Sequence, residues 1–192
     1  MSASAARARR FAARAALVVL ATAASAPAAA AGVPRPDPDA KAAIVVDARS
    51  GEVLLADGVD ERHQIASTTK LMTALLVMER ARPQEVFTAP RYEAAAIESQ
   101  IGLETGERMR VRDLLTALLL ESANDAAVTI ATNVSGSRRA FVRDMNRRAG
   151  ELGLRSTSYS NPVGLDSRRN RSSARDLASL ARCLCILAFT SP

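Results

Sequence analysis

The chain has 192 residues and a formal net charge of +6. Four arginines and no acidic residue fall within its first 32 residues, so the remaining stretch of about 160 residues carries only about +2 and gives no reason to invoke nucleic acid. One histidine, His63, and two cysteines close together near the C-terminus leave no cluster able to hold a metal.

Residues 1–32 combine a basic start (Arg7, Arg9, Arg10, Arg14), the apolar stretch Ala15-Ala16-Leu17-Val18-Val19-Leu20 and an alanine-rich end. This is the pattern of a secretory signal peptide. The stretch is short and alanine-rich for a membrane-spanning helix. An uncleaved anchor is the alternative, and with either the rest of the chain is exported, to the periplasm or outside the cell. Residues 33–40, with Pro34, Pro36 and Pro38, read as an extended leader. Residues 42–48 then read as a strand, Arg49-Ser50-Gly51 as a turn and residues 52–56 as the returning strand of a hairpin.

Ser67-Thr68-Thr69-Lys70 stands where a helix should begin, ahead of the apolar run from Leu71 to Met78. A serine and a lysine three residues apart share a helical face, with Cβ atoms roughly 5–6 Å apart. A neutral amine there can take the hydroxyl proton and activate the serine. Unpaired N–H groups at the helix start favour the negative charge that develops when the serine attacks a carbonyl. Ser67 as a plain N-cap and Lys70 as a solvated charge is the competing reading. Lys41 and Lys70 are the only lysines. Arginine, used elsewhere, stays protonated and cannot act as a base.

Further helices are expected at residues 91–99, beginning at Arg91 or Tyr92, and at 111–120 and 125–133, with Gly136 as a breaker. Another is expected at 139–152, with Phe141, Val142, Met145 and Leu152 toward the core. Ser122-Ala123-Asn124 falls in the break between two of these helices. A serine hydroxyl there could relay a proton, and an asparagine amide could both donate to and accept from a substrate amide. Ordinary helix punctuation, with Asn124-Asp125 capping the next helix, is the alternative. Residues 159–164 read as a loop, and a last helix starts at Ser172 or Ser173 and runs through Leu177, Leu180 and Leu184. Two arginine runs (138, 139, 143, 147, 148 and 168, 169, 171, 175) lack interleaved aromatics and read as solvated faces. Cys183 and Cys185, two residues apart on a helix, have diverging side chains and read as unpaired.

In their order and spacing, Ser67-Thr68-Thr69-Lys70, Ser122-Ala123-Asn124, Met145-Asn146, Leu152-Gly153-Leu154, Asn161-Pro162-Val163-Gly164-Leu165-Asp166 and Ser172-Ser173-Ala174-Arg175-Asp176-Leu177 resemble one known family. It is the penicillin-binding D-alanyl-D-alanine carboxypeptidases of the low-molecular-mass serine type. The resemblance runs from about residue 41 to about residue 180. It implies an α/β (α+β) fold of the β-lactamase/transpeptidase-like kind, an antiparallel sheet flanked by a helical cluster. It also implies that Ser67 is the acylated nucleophile, with its backbone N–H in the oxyanion hole, and that Lys70 is its base. Ser122 would pass a proton to the leaving amine, and Asn124 would hold the substrate and the lysine in register. The implied substrate is a peptidoglycan stem peptide ending in D-Ala-D-Ala, the implied inhibitors are β-lactams, and no cofactor or metal is implied.

The chain departs from the family in one large way. No lysine follows Lys70, so the family's Lys-Thr-Gly or Lys-Ser-Gly motif is missing. Residues 41–192 therefore read as an incomplete serine D,D-peptidase domain, truncated at the C-terminus, without the later strands or a membrane anchor, and with turnover lowered or lost. Ile65 and Val163 stand where the family often has proline and histidine. Two other functions are open: a serine β-lactamase, although Glu151-Leu152-Gly153-Leu154 does not match its usual deacylating arrangement, and a non-catalytic cell-wall-binding remnant.

Overall fold

The hairpin expected near the start forms from β1 (Ala43–Val46) and β2 (Val53–Asp57) in the computed structural model, which describes residues 36–165 and 169–190, the side chains of Phe189 and Thr190 excepted. The expected signal peptide lies outside the described residues. The strands are antiparallel, with Ala43 opposite Asp57 and a bulge between Val45 and Val46. The turn is built by Asp47, whose carboxylate accepts the N–H groups of Arg49 and Ser50 at 3.0 and 2.6 Å. A short carboxylate that bonds its own backbone two and three residues on makes such turns favourable.

From Pro38 onward the described residues form one unit around α1 (Lys70–Arg80). Met72, Ala74, Leu75, Leu76 and Val77 of this helix are fully buried. A helix apolar on most of its circumference must be enclosed. It is covered by α2 (Val111–Leu120), α3 (Asn124–Ser135), α4 (Arg138–Glu151) and α5 (Ala174–Thr190), and α5 also packs on β1. The break between α3 and α4 is Gly136, at φ +75°, followed by Ser137, whose hydroxyl accepts the Ala140 N–H at 3.1 Å. A left-handed glycine closes one helix and a serine cap opens the next. Phe141 and Met145 are fully buried, while Val142 and Leu152 are half-buried against the same core.

Residues 91–99 form no helix, contrary to expectation. The Glu98 N–H donates to the Ala95 carbonyl in a single turn at 2.9 Å, and the Glu98 carboxylate accepts the Ala95 N–H. Alanine-rich sequence is only a weak prior for helix, and here tertiary anchoring outweighs it. Two antiparallel pairs escape sequence reading because their strands are two or three residues long. These are β3 (His63–Gln64) with β6 (Arg171–Ser172), and β4 (Val86–Thr88) with β5 (Arg108–Arg110). The β3–β6 pair brings the residues after the 159–165 loop beside the segment leading into Ser67.

Candidate active site

The chain enters α1 through a 3-10 turn, Ala66–Thr69, rather than through a serine cap; neither turn nor helix has a side-chain cap hydrogen bond. Ala66 is held at φ +41°. A non-glycine residue with positive φ is uncommon, and the surroundings must over-determine it. The 161–165 loop packs directly against this turn. Gly164, itself at φ +88°, lies so close that a Cβ on it would stand 1.9 Å from the Ala66 carbonyl oxygen and 3.0 Å from the Ser67 nitrogen. The Thr68 hydroxyl donates to the Ile65 carbonyl and tightens the same turn.

Lys70 follows one turn later and is 3% exposed. Its Nζ donates to the Ser67 Oγ at 3.4 Å and to the Val163 carbonyl at 2.8 Å. Burial pushes the amine down to about 8, while the Glu98 carboxylate pulls the other way. The lysine is thus both aimed at the serine and partly neutral near neutral pH. Further along α1, the Thr73 hydroxyl donates to the Pro162 carbonyl at 2.9 Å, so one face of the helix grips the loop at two consecutive carbonyls.

Three asparagines hold that loop in place. Asn161 Oδ1 accepts the Val163 and Gly164 N–H groups at 3.1 and 2.7 Å. Asn170 Oδ1 accepts the Ser160 N–H at 2.7 Å. Asn146 pairs with both backbone groups of Tyr159 at 2.8 and 2.9 Å. Of the three only Asn170 is buried, and together they satisfy backbone groups that no ladder reaches.

Ser122 and Asn124 lie at the α2–α3 junction. Ser122 sits at φ +56°, half-buried, and its hydroxyl bonds to no group among the described residues. Ala66 and Ser122 are the only non-glycine residues with positive φ among the described residues; one directly precedes the Ser67 motif and the other opens the second. Asn124 opens α3 and is 3% exposed. Its N–H donates to the Ser99 carbonyl and its Nδ2 to Glu98 Oε2, both at 2.8 Å, while its Oδ1 is buried without a partner among the described residues. The alternative reading of Asn124-Asp125 as a cap is not met: Ala123 is the N-cap residue, and no side chain caps α3. The buried Asp125 carboxylate accepts the Ala126 N–H at 2.9 Å and the N–H groups of Ile101, Gly102 and Leu103 at 2.9–3.2 Å. Lys70 hydrogen-bonds directly to Ser67, but to neither Ser122 nor Asn124.

Glu98 is the residue that sequence reading missed. It collects the Tyr92 hydroxyl, the Ala95 N–H and the Asn124 amide, and its charge reaches Lys70. Burial works against its ionisation, yet the three donors together hold its carboxyl below the usual range. No local spacing signals this role, because Glu98 and Asn124 are 26 residues apart.

The chemistry available is that of a serine hydroxyl beside a partly neutral amine, with an open amide acceptor nearby. Among the described residues no group of three or more His, Cys, Asp or Glu side chains could hold a metal ion, and no helix is long and apolar enough to cross a membrane.

Residues 27–188 match the family model described as D-alanyl-D-alanine carboxypeptidase, Peptidase_S11. The D-alanyl-D-alanine carboxypeptidase DacF of Bacillus subtilis is 40% identical over 148 residues, covering 74% of this chain and 38% of its own. A D-alanyl-D-alanine endopeptidase of Pseudomonas aeruginosa is 39% identical over 141 residues, covering 72% of this chain and 45% of its own. The crystal structure of penicillin binding protein 6B from Escherichia coli superposes with a TM-score of 0.73 at 32% identity, over 81% of this chain and 54% of that one. The fold is accordingly the mixed α/β fold of the penicillin-binding proteins, and the chain spans less than half the length of the two curated relatives. With more than half of its residues matched by the family model, the chain belongs to the D-alanyl-D-alanine carboxypeptidase family, peptidase S11.

Proposed function

We propose that the chain carries the acylation half of an exported serine D-Ala-D-Ala carboxypeptidase that acts on peptidoglycan stem peptides at the cell envelope. The observation that carries this reading is the Lys70 Nζ, 3.4 Å from the Ser67 Oγ and pushed down to about 8 by burial. The neutral amine takes the hydroxyl proton as Oγ attacks the carbonyl of the penultimate D-Ala. The tetrahedral oxyanion is met by the Ser67 N–H, which donates to no group among the described residues. Ser122 relays the proton taken up by Lys70 to the departing amine, the C–N bond breaks, free D-Ala leaves, and water then hydrolyses the ester and restores the Ser67 hydroxyl. The unpartnered Asn124 Oδ1 accepts an N–H of the substrate backbone. A signal peptide over residues 1–32, a leader over 33–40 and a peptidase domain from residue 41 complete the proposal.

A fluorescent penicillin tests it. Incubation with the full chain is expected to leave a stable adduct that mass spectrometry places on Ser67 and that Ser67→Ala abolishes. Rapid release of the label would point instead to a β-lactamase. No adduct on a chain that melts cooperatively would point to a non-catalytic remnant.

A further inference from the structure

The Glu98 carboxylate takes no part in the acylation steps above, yet it stands half-buried against one of the groups that perform them. Its Oε1 accepts the Ala95 N–H at 2.9 Å. Its Oε2 accepts the Tyr92 hydroxyl and, at 2.8 Å, the Asn124 Nδ2. All three donors are neutral, and Lys70 senses the charge without a hydrogen bond to it. The next residue continues the clamp, for the Ser99 carbonyl accepts the Asn124 N–H at 2.8 Å. Residues 98 and 99 therefore grip Asn124 at both its side chain and its main chain.

That grip decides which end of the Asn124 amide is on offer. An ionised carboxylate can only accept, whereas an amide has a donor end and an acceptor end. The three donors keep the Glu98 carboxyl below the usual range, so it is ionised near neutral pH. Only the Nδ2 end can then face Glu98, and the Oδ1 end must face away. Asn124 is 3% exposed, and its Oδ1 is buried with no partner among the described residues. A buried acceptor left open is costly until a ligand donates to it. A neutral side chain in place of Glu98 would impose no such rule, since the amide could turn and offer either end.

Resting on the proposed peptidase reading, we infer that Glu98 is a positioning residue that locks the Asn124 amide with its oxygen toward the substrate, so that the site selects ligands presenting an N–H there. A ligand with an acceptor at that point meets a desolvated oxygen and is rejected.

The test uses two penicillins, one joined to its side chain by an amide and one by an ester, which replaces the N–H with an oxygen and adds no bulk. This N–H stands beside the lactam carbonyl as the N–H of the penultimate residue stands beside the scissile carbonyl. Rates of adduct formation on the full chain are read by mass spectrometry. In the parent, the amide form is expected to acylate Ser67 about tenfold faster than the ester form. Glu98→Gln keeps the shape of the side chain but can donate as well as accept, so the ratio is expected to fall toward one. Glu98→Ala and Asn124→Ala are expected to lower it likewise. Loss of the Glu98 charge also shifts the Lys70 amine, but that changes both rates together and leaves their ratio alone. A ratio near one in the parent overturns the inference. So does a parent-like ratio in both Glu98 variants, the result expected if Glu98 only braces its loop, or in Asn124→Ala. Failure of both penicillins to acylate the parent would sink the peptidase reading and this inference with it.

Discussion

The Lys70 ammonium loses its water shell to α1 and the 162–165 loop, and the Val163 carbonyl and Ser67 hydroxyl replace only part of it. Below pH 8 the protonated amine is a cost to the fold and cannot accept a proton. Between about 8 and the ordinary value of 10.5, the folded chain has released a proton that the unfolded chain keeps, so stability rises with pH across that window. The rate of adduct formation with a labelled penicillin is therefore expected to climb with pH, with an inflection near 8. Glu98→Gln removes the negative neighbour that favours the ammonium, so the inflection should move to lower pH. A profile that stays flat from about pH 6 to about pH 10 would remove Lys70 from the mechanism.

Gly164 sets a second condition at the residue scale. Its missing Cβ leaves room for the Ala66 carbonyl, where a methyl group would stand 1.9 Å away, and its φ of +88° suits glycine alone. Gly164→Ala should lower the melting temperature and slow Ser67 acylation by at least tenfold, roughly the effect of misplacing reacting atoms by a fraction of an ångström. Unchanged labelling kinetics would mean that the contact does not position the nucleophile.

At the scale of elements, α3 is the organiser of the site. Its first residue presents the open amide, and its second anchors residues 101–103 of the loop. Asp125→Ala leaves three loop N–H groups without their acceptor and should cost about 3 kcal/mol, read as a lower urea midpoint. The same variant releases the loop that carries Glu98, so the Lys70 inflection should shift alongside stability. A variant with the parent midpoint would show that Asp125 is solvated rather than bonded. The helices were legible because apolar residues recur along α1, α2, α4 and α5 with helical spacing, and Gly136 and Ser137 mark the α3–α4 break. The two short strand pairs were not, because a strand of two or three residues carries no alternation to detect. The helix expected over 91–99 failed for a related reason: alanine content speaks for local propensity, while Glu98 answers to groups on α3.

At the scale of the molecule, α1 and α4 are tied by Arg80 to Asp144 and Arg148 to Glu79, both at 2.7 Å, around a core centred on Met72, Leu75, Leu76 and Phe141. The ion pairs are partly solvated and contribute little; burial of the apolar side chains holds the helices together. The hairpin is less enclosed. Val53 and Leu54 are exposed, and β1 and β2 pair only with each other among the described residues. The first hairpin, the helical cluster apart from the helix expected over 91–99, and the candidates Ser67, Lys70, Ser122 and Asn124 could be named from the chain, because residue type and local spacing carry them. Local spacing could not reveal that Lys70 is buried against a carbonyl 93 residues away, that Glu98 joins Asn124, or that three of the five arginines on α4 line a cavity with no acidic side chain among the described residues. Burial, charge pairing and pKa depend on which distant segments meet, and only packing brings them together.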